Sequence, residues 1–101
     1  MYDMNNMKKL PALGAKAPDA WQTFKDFDKA ALADGAIPRK YKELMAVAVA
    51  LTTQCAYCIE IHGQAARKAG ATDAELAEVT FVAAALRAGG AITHATHLFA
   101  E

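Results

Sequence analysis

Leu44-Met45-Ala46-Val47-Ala48-Val49-Ala50-Leu51 is the longest uninterrupted apolar run in the chain, and its reading decides whether the fold contains a sheet. Its β-branched content suits a strand. No turn signal bounds it on either side, however, and it continues the sequence that restarts after Ile37-Pro38, so it reads as part of a helix from Arg39 to about Thr53. Pro38 suits a first helical turn, where its missing N–H is no loss. The start of this helix is charged and its middle is apolar on every side.

Working outward, Thr52-Thr53-Gln54 offers capping hydroxyls just before Cys55, which predicts a break and a new helix from about Cys55 to Ala69, stopped by Gly70. Thr72-Asp73-Ala74-Glu75 has the form of a capping box and introduces a helix to about Ala88, with Leu76, Val79, Phe81, Val82, Ala83 and Leu86 expected on its inner surface. Gly89-Gly90 is expected to separate it from a last short helix, Ala91 to about Ala100. Upstream, Asp19 is placed to cap a helix to about Ala33, with Trp21, Phe24, Phe27, Ala31 and Leu32 as its apolar stripe and Asp34-Gly35 as its end. Residues 1–18 contain Pro11, Gly14 and Pro18 without sustained periodicity, and read as an arm whose order has to come from packing against something. The expectation is an all-α bundle of about five helices spanning residues 19–101 after an N-terminal arm, 1–18.

Composition narrows the function. Eleven Lys plus Arg balance eleven Asp plus Glu, and no basic run interleaved with aromatics occurs, so the long-range attraction that nucleic acid or an acidic lipid surface requires is missing. The eight-residue apolar run falls short of the ~20 residues that span a bilayer. The stretch Met1 to Leu10 has no apolar h-region, so nothing there resembles an export signal, and a reducing cytoplasmic compartment is the default expectation. Hydrophobic residues make up 54% of the chain. Much of that is Ala, which favours helix and close helix approach but carries little apolar area.

The chemistry concentrates in Cys55-Ala56-Tyr57-Cys58-Ile59-Glu60-Ile61-His62, which holds both cysteines of the chain. At about 100° per residue, positions 55, 58 and 62 fall within about 60° of one another around a helix axis. If Cys55 opens the helix, the orphan N–H groups and positive dipole end there favour a thiolate. An i, i+3 cysteine pair lies near bridging distance. Its small loop does little for stability through chain entropy, so a redox role explains the spacing better than a structural one. A thioredoxin-like motif is excluded because no strand leads into the helix. His62 is positioned to take a thiol proton directly or through water. Glu43 can orient His62 if its helix folds back on the next.

Glu43, Cys55, Cys58 and His62, in the pattern Glu-x11-Cys-x2-Cys-x3-His on a helical background, resemble the alkyl hydroperoxidase D-like branch of the carboxymuconolactone decarboxylase superfamily. The resemblance runs from about Ala20 to the C-terminus and includes the Arg87-Ala88-Gly89-Gly90-Ala91 turn. It implies a thiol-dependent hydroperoxidase or disulfide oxidoreductase with an antioxidant role. Cys58 would be the peroxidatic cysteine, Cys55 the resolving cysteine, and His62 with Glu43 the proton relay. No bound cofactor is implied. An external dithiol such as a lipoyl group would restore the reduced pair, and the substrate would be a hydroperoxide or disulfide. The resemblance also implies a homo-oligomer, a trimer or hexamer. One departure is Tyr57, which stands where the best-studied peroxidases of the branch carry a second His between the cysteines, and this thins the proton network.

Two other readings fit the same residues. Cys55, Cys58, His62 and one of His94 or His97 could ligate a structural metal in a non-enzymatic metal-binding or interaction module, although the usual two-knuckle layout is absent. Lactone decarboxylation on the same scaffold would proceed without the cysteines. His94 and His97 are otherwise expected at a surface or interface, with no catalytic role, and Trp21, Phe24 and Phe27 in the core.

Overall fold

The fold is carried by three helices, α3 (Arg39–Thr53), α4 (Ala56–Lys68) and α5 (Asp73–His94), in a computed structural model that describes residues 2–100. Met1 of the expected arm and Glu101 of the expected domain lie outside the described residues. The Leu44–Leu51 run is helical throughout, and no strand occurs among the described residues. Leu44, Val47 and Ala50 on α3 recur at i, i+3, i+6 and are buried, together with Ala66 on α4 and Ala83 on α5. Leu51, Ala71, Leu76 and Val79 close around the cluster of Leu44, Val47 and Ala66. The fully buried Ala66 has only a methyl group to accommodate, which permits close approach of α3 and α4.

Ahead of this core stand a 3-10 segment, Met4–Lys9, then α1 (Leu10–Lys16) and α2 (Pro18–Leu32). The arm read from sequence as lacking periodicity is therefore mostly helical. Pro11 sits in the first turn of α1 and Pro18 opens α2, positions where proline's missing N–H is tolerated. Asp19 lies in the first turn of α2 rather than capping it. Gly14 is buried, and a Cβ at that position would overlap the indole of Trp21, so glycine lets α1 fold back on α2. Gly14→Ala is expected to pry the two helices apart. The overlap should cost about 1–3 kcal/mol, less up to about 1 kcal/mol regained in helix propensity. A red-shifted fluorescence of the single Trp and a lowered unfolding midpoint would report it.

At the other end, Gly89 and Gly90 do not break the chain. α5 passes through them to His94, and a short 3-10 turn, Ala95–Leu98, follows. Neither glycine has positive φ, so the helical ladder continues. The Thr93 hydroxyl donates to the Gly90 carbonyl and His94 Nδ1 lies 2.9 Å from the same oxygen. The five α-helices among the described residues thus include α1, while the expected separate C-terminal helix is the end of α5.

One chain covers little of its apolar surface. Phe81, Val82 and Leu86 on α5, expected inward, are exposed, as are Phe24 and Phe27 on α2, the latter at 70%. The inward set on α5 is the narrower Leu76, Val79 and Ala83. The radius of gyration is 17.0 Å, against about 13 Å for a compact domain of this length. The accessible surface is 7673 Å², roughly 2,000 Å² above that of a typical monomer of this mass. The stretch Asp73–Leu98 is long and apolar enough by length and composition to cross a bilayer, its most apolar 18 residues having a mean hydropathy of 1.3. The sequence reading counted uninterrupted runs and passed over it, since Thr and Arg punctuate this one. One side of α5 packs on α3.

Candidate active site

A two-residue turn joins α3 to α4 and builds the site. Gln54 takes the left-handed conformation, φ 57°, and its N–H bonds the Ala50 carbonyl. The Cys55 N–H bonds the same carbonyl at 3.0 Å. This reversal closes α3 in the manner of a helix C-cap and leaves Cys55 with extended backbone as the N-cap of α4. The hydroxyls of Thr52 and Thr53, expected to cap α4, instead donate back to the Val49 carbonyl. The cap is the Cys55 thiol itself, which accepts the Cys58 N–H at 3.4 Å.

The two Sγ atoms lie 2.7 Å apart as free thiols, in hydrogen-bond contact. The Cys58 thiol beside it, and then the Cys58 backbone N–H, hold the Cys55 thiol below its ordinary pKa. Cys58 is displaced the other way, to about 11, first by its hydrogen bond to Cys55, then by burial, and further by the charges of Cys55 and of Asp28 on α2. Of the two thiols, Cys55 is therefore the one that gives up its proton first.

Glu43 projects from α3 into the α3–α4 seam, where it is 1% exposed. One of its oxygens lies 2.7 Å from His62 Nδ1, while Arg39, one turn earlier, stands 3.8 Å from the other. The return of α3 against α4 that the sequence left open is thus present. His62 and Cys58 line one cavity of about 260 Å³, with Ala46, Val49, Ala50 and Thr53 as its other walls. A larger cleft of about 350 Å³ beside Gly63, Gln64 and Arg67 holds neither thiol nor His62.

All four residues singled out from sequence thus converge, whereas His94 and His97 do not join them: their rings pair with each other at 6.1 Å near the end of α5. Among the described residues no group of three or more His, Cys, Asp and Glu side chains is placed to hold a metal ion. Sequence reasoning missed the N-terminal segment. The Tyr57 hydroxyl accepts from the Asn6 amide at 3.0 Å and from the Asp3 N–H at 3.4 Å. The Tyr2 ring meets that of Tyr57 at 59°, with centroids 5.0 Å apart, and its hydroxyl donates to Glu60. That carboxylate lifts the Tyr2 phenol to about 12. The available signal was Asp3-Met4-Asn5, which forms an Asx turn in which Asp3 Oδ1 accepts the Asn5 N–H at 2.9 Å.

Residues 18–101 match the sequence profile described as the carboxymuconolactone decarboxylase family. The chain is 46% identical over 106 aligned positions to uncharacterized protein 4 in the cox locus of Paracoccus denitrificans, covering 99% of this chain and 93% of that one. Among solved structures it is similar to a carboxymuconolactone decarboxylase family protein from Legionella pneumophila, with a TM-score of 0.78 and 33% identity over 91% of this chain and 82% of the other. A protein from Methanobacterium thermoautotrophicum superposes with a TM-score of 0.81 at 35% identity, over 85% of this chain and 97% of its own.

Proposed function

Since the chain belongs to the carboxymuconolactone decarboxylase family, which includes enzymes, and sets a free dithiol beside a Glu–His pair, we propose that it is a thiol-dependent hydroperoxidase or disulfide oxidoreductase with an antioxidant role. The observation that carries this reading is the shared cavity: Cys58 and His62 line it, Cys55 lies 2.7 Å from Cys58, and Glu43 lies 2.7 Å from His62. His62, oriented by Glu43, takes the Cys58 proton. The Cys58 thiolate attacks the terminal peroxide oxygen, the O–O bond breaks, and the alkoxide leaves with the proton from His62 as an alcohol, giving a sulfenic acid on Cys58. The Cys55 thiolate then attacks that sulfur. A disulfide forms, the S–O bond breaks, and the departing hydroxide takes a proton from solvent to become water. An external dithiol of the lipoyl class reduces the disulfide by exchange and is itself oxidised to a disulfide.

We also place the working form as a homo-oligomer, a trimer or hexamer, in the cytoplasm. The roughly 2,000 Å² of surplus surface exceeds the ~800 Å² per partner of a standard interface, and α5 is apolar on most sides, as helices enclosed by protein are.

The Glu43–His62 pair can also abstract a proton without any thiol, which favours lactone decarboxylation as the second reading. One experiment separates the two. Hydroperoxide consumption is followed with reduced lipoamide, glutathione and a thioredoxin as donors, and the thiols are titrated after one equivalent of peroxide. The proposal expects loss of both thiols per chain and fastest recovery with the dithiol donors. Unchanged thiol titre overturns it, and lactone turnover that survives replacement of both cysteines establishes the alternative.

A further inference from the structure

We infer that Asn6 and Tyr2 are positioning residues for the dithiol, acting through Tyr57 and Glu60 to hold the first turn of α4 in the conformation that caps on Cys55. The inference deepens the proposed redox function and rests on it. Tyr57 and Glu60 are spaced i, i+3, so they share one face of α4 about 60° wide. Cys58 and His62 lie roughly on the opposite face, toward the cavity walled by α3. The N-terminal segment therefore braces α4 from behind and leaves the thiols open to substrate.

The brace is specific. Two donors, the Asn6 amide and the Asp3 N–H, converge on one phenol oxygen, and the Tyr2 ring and hydroxyl engage Tyr57 and Glu60 together. Asp3 fixes the local turn by accepting the Asn5 N–H at its side chain and the Asn6 N–H at its carbonyl. A helix's first turn is its least secured part, because its N–H groups have no intrahelical acceptors and it opens locally at low cost. Here that turn supplies the N–H that reaches the Cys55 sulfur at 3.4 Å. When the turn frays, the N–H and the dipole end leave the sulfur together, and the thiolate loses their share of its stabilisation, second to that of the Cys58 thiol. The Tyr2 phenol, held near 12 by Glu60, remains a donor throughout the range in which thiols titrate.

The test is the rate at which iodoacetamide alkylates Cys55 in the reduced protein, as a function of pH, with the label located by fragmentation mass spectrometry. The variants are Asn6→Ala, Tyr57→Phe and the pair combined. Tyr57→Phe keeps the ring against Tyr2 and removes only the accepting oxygen. Each single change is expected to slow Cys55 alkylation at neutral pH by about two- to fivefold, the size of a lost helix-end interaction with a charge, and to move its pH midpoint upward. The double variant is expected to be no slower than the slower single, since Tyr57→Phe already removes the bond that Asn6→Ala removes. Asp28, Glu43, His62 and Cys58 are intact in every variant, so the midpoint reads the turn. Circular dichroism verifies the fold, and if Tyr57→Phe unfolds, Asn6→Ala decides alone. Rates and midpoints indistinguishable from wild type overturn the inference, as do single effects that multiply in the double variant. Wild-type hydroperoxide turnover is measured alongside. Turnover with unresponsive variants rejects only the brace, and responsive variants without wild-type turnover reject only the redox function.

Discussion

Cys58→Ser is expected to lower hydroperoxide turnover by about a thousandfold or more, as loss of a nucleophile does, whereas Cys55→Ser should preserve the first chemical step and stop the second. The distinction follows from position. Cys58 shares the cavity with His62, while Cys55 sits at the cap of α4, 2.7 Å from the Cys58 sulfur. In Cys55→Ser a sulfenic acid on Cys58 has no thiol to condense with, so one equivalent of peroxide should leave a dimedone-reactive adduct on Cys58 and none in wild type. The pH dependence has a definite sign. Cys58 is lifted to about 11 chiefly by its hydrogen bond to Cys55, with burial next and the Cys55 charge after it. Removing the Cys55 sulfur removes the first and third of these. The alkaline midpoint for alkylation of Cys58 should therefore fall in Cys55→Ser, and at mildly alkaline pH Cys58 should react faster than in wild type. The lowered pKa of Cys55 favours the opposite assignment, in which Cys55 attacks directly. That assignment predicts dimedone labelling of Cys55 in Cys58→Ser and residual single turnover there. Labelling in that pattern would reverse the roles of the two cysteines.

The juxtaposition at the candidate site was legible in the sequence because its residues belong to two helices whose ends are marked. Arg39–Thr53 and Ala56–Lys68 are bounded by Pro38, Cys55 and Gly70, and once the intervening turn is two residues long, Glu43 and His62 have to face each other across the seam. What stayed hidden is tertiary. Nothing local distinguishes Leu76 and Val79, which pack on α3, from Phe81 and Val82, which face outward, since a helix apolar on most sides has no periodicity to read. Glycine misled in opposite directions. Gly89-Gly90 read as a break, but two glycines cost a helix only about 2 kcal/mol, which a ladder running to His94 absorbs. Gly14 read as a mark of irregularity, yet it is the contact that lets α1 lie on Trp21. The brace on Tyr57 joins residues more than fifty positions apart, and no spacing rule reaches that far.

The largest stability effect is expected from His62→Ala. Glu43 is buried, and its close partner is His62 at 2.7 Å. Arg39 reaches it only at 3.8 Å from a largely exposed position, and exposed ion pairs of that kind contribute little. Taking away the imidazole strands a carboxylate inside the α3–α4 seam, which should destabilise the fold by about 3 kcal/mol or more, because removing one member of a buried pair leaves the desolvation penalty of the other uncompensated. Glu43→Gln behaves differently. The amide keeps the volume and can still bond His62, so stability should change by about 1 kcal/mol or less. The imidazole, however, loses the anionic partner that orients it, and turnover should fall by about a hundredfold. Denaturant unfolding and hydroperoxide turnover, measured on both variants, therefore separate the two contributions of one hydrogen bond. Wild-type stability in His62→Ala would mean that the Glu43 carboxylate reaches water by another route. Wild-type turnover in Glu43→Gln would mean that His62 acts without an anionic partner, and the relay would reduce to the imidazole and the thiol beside it.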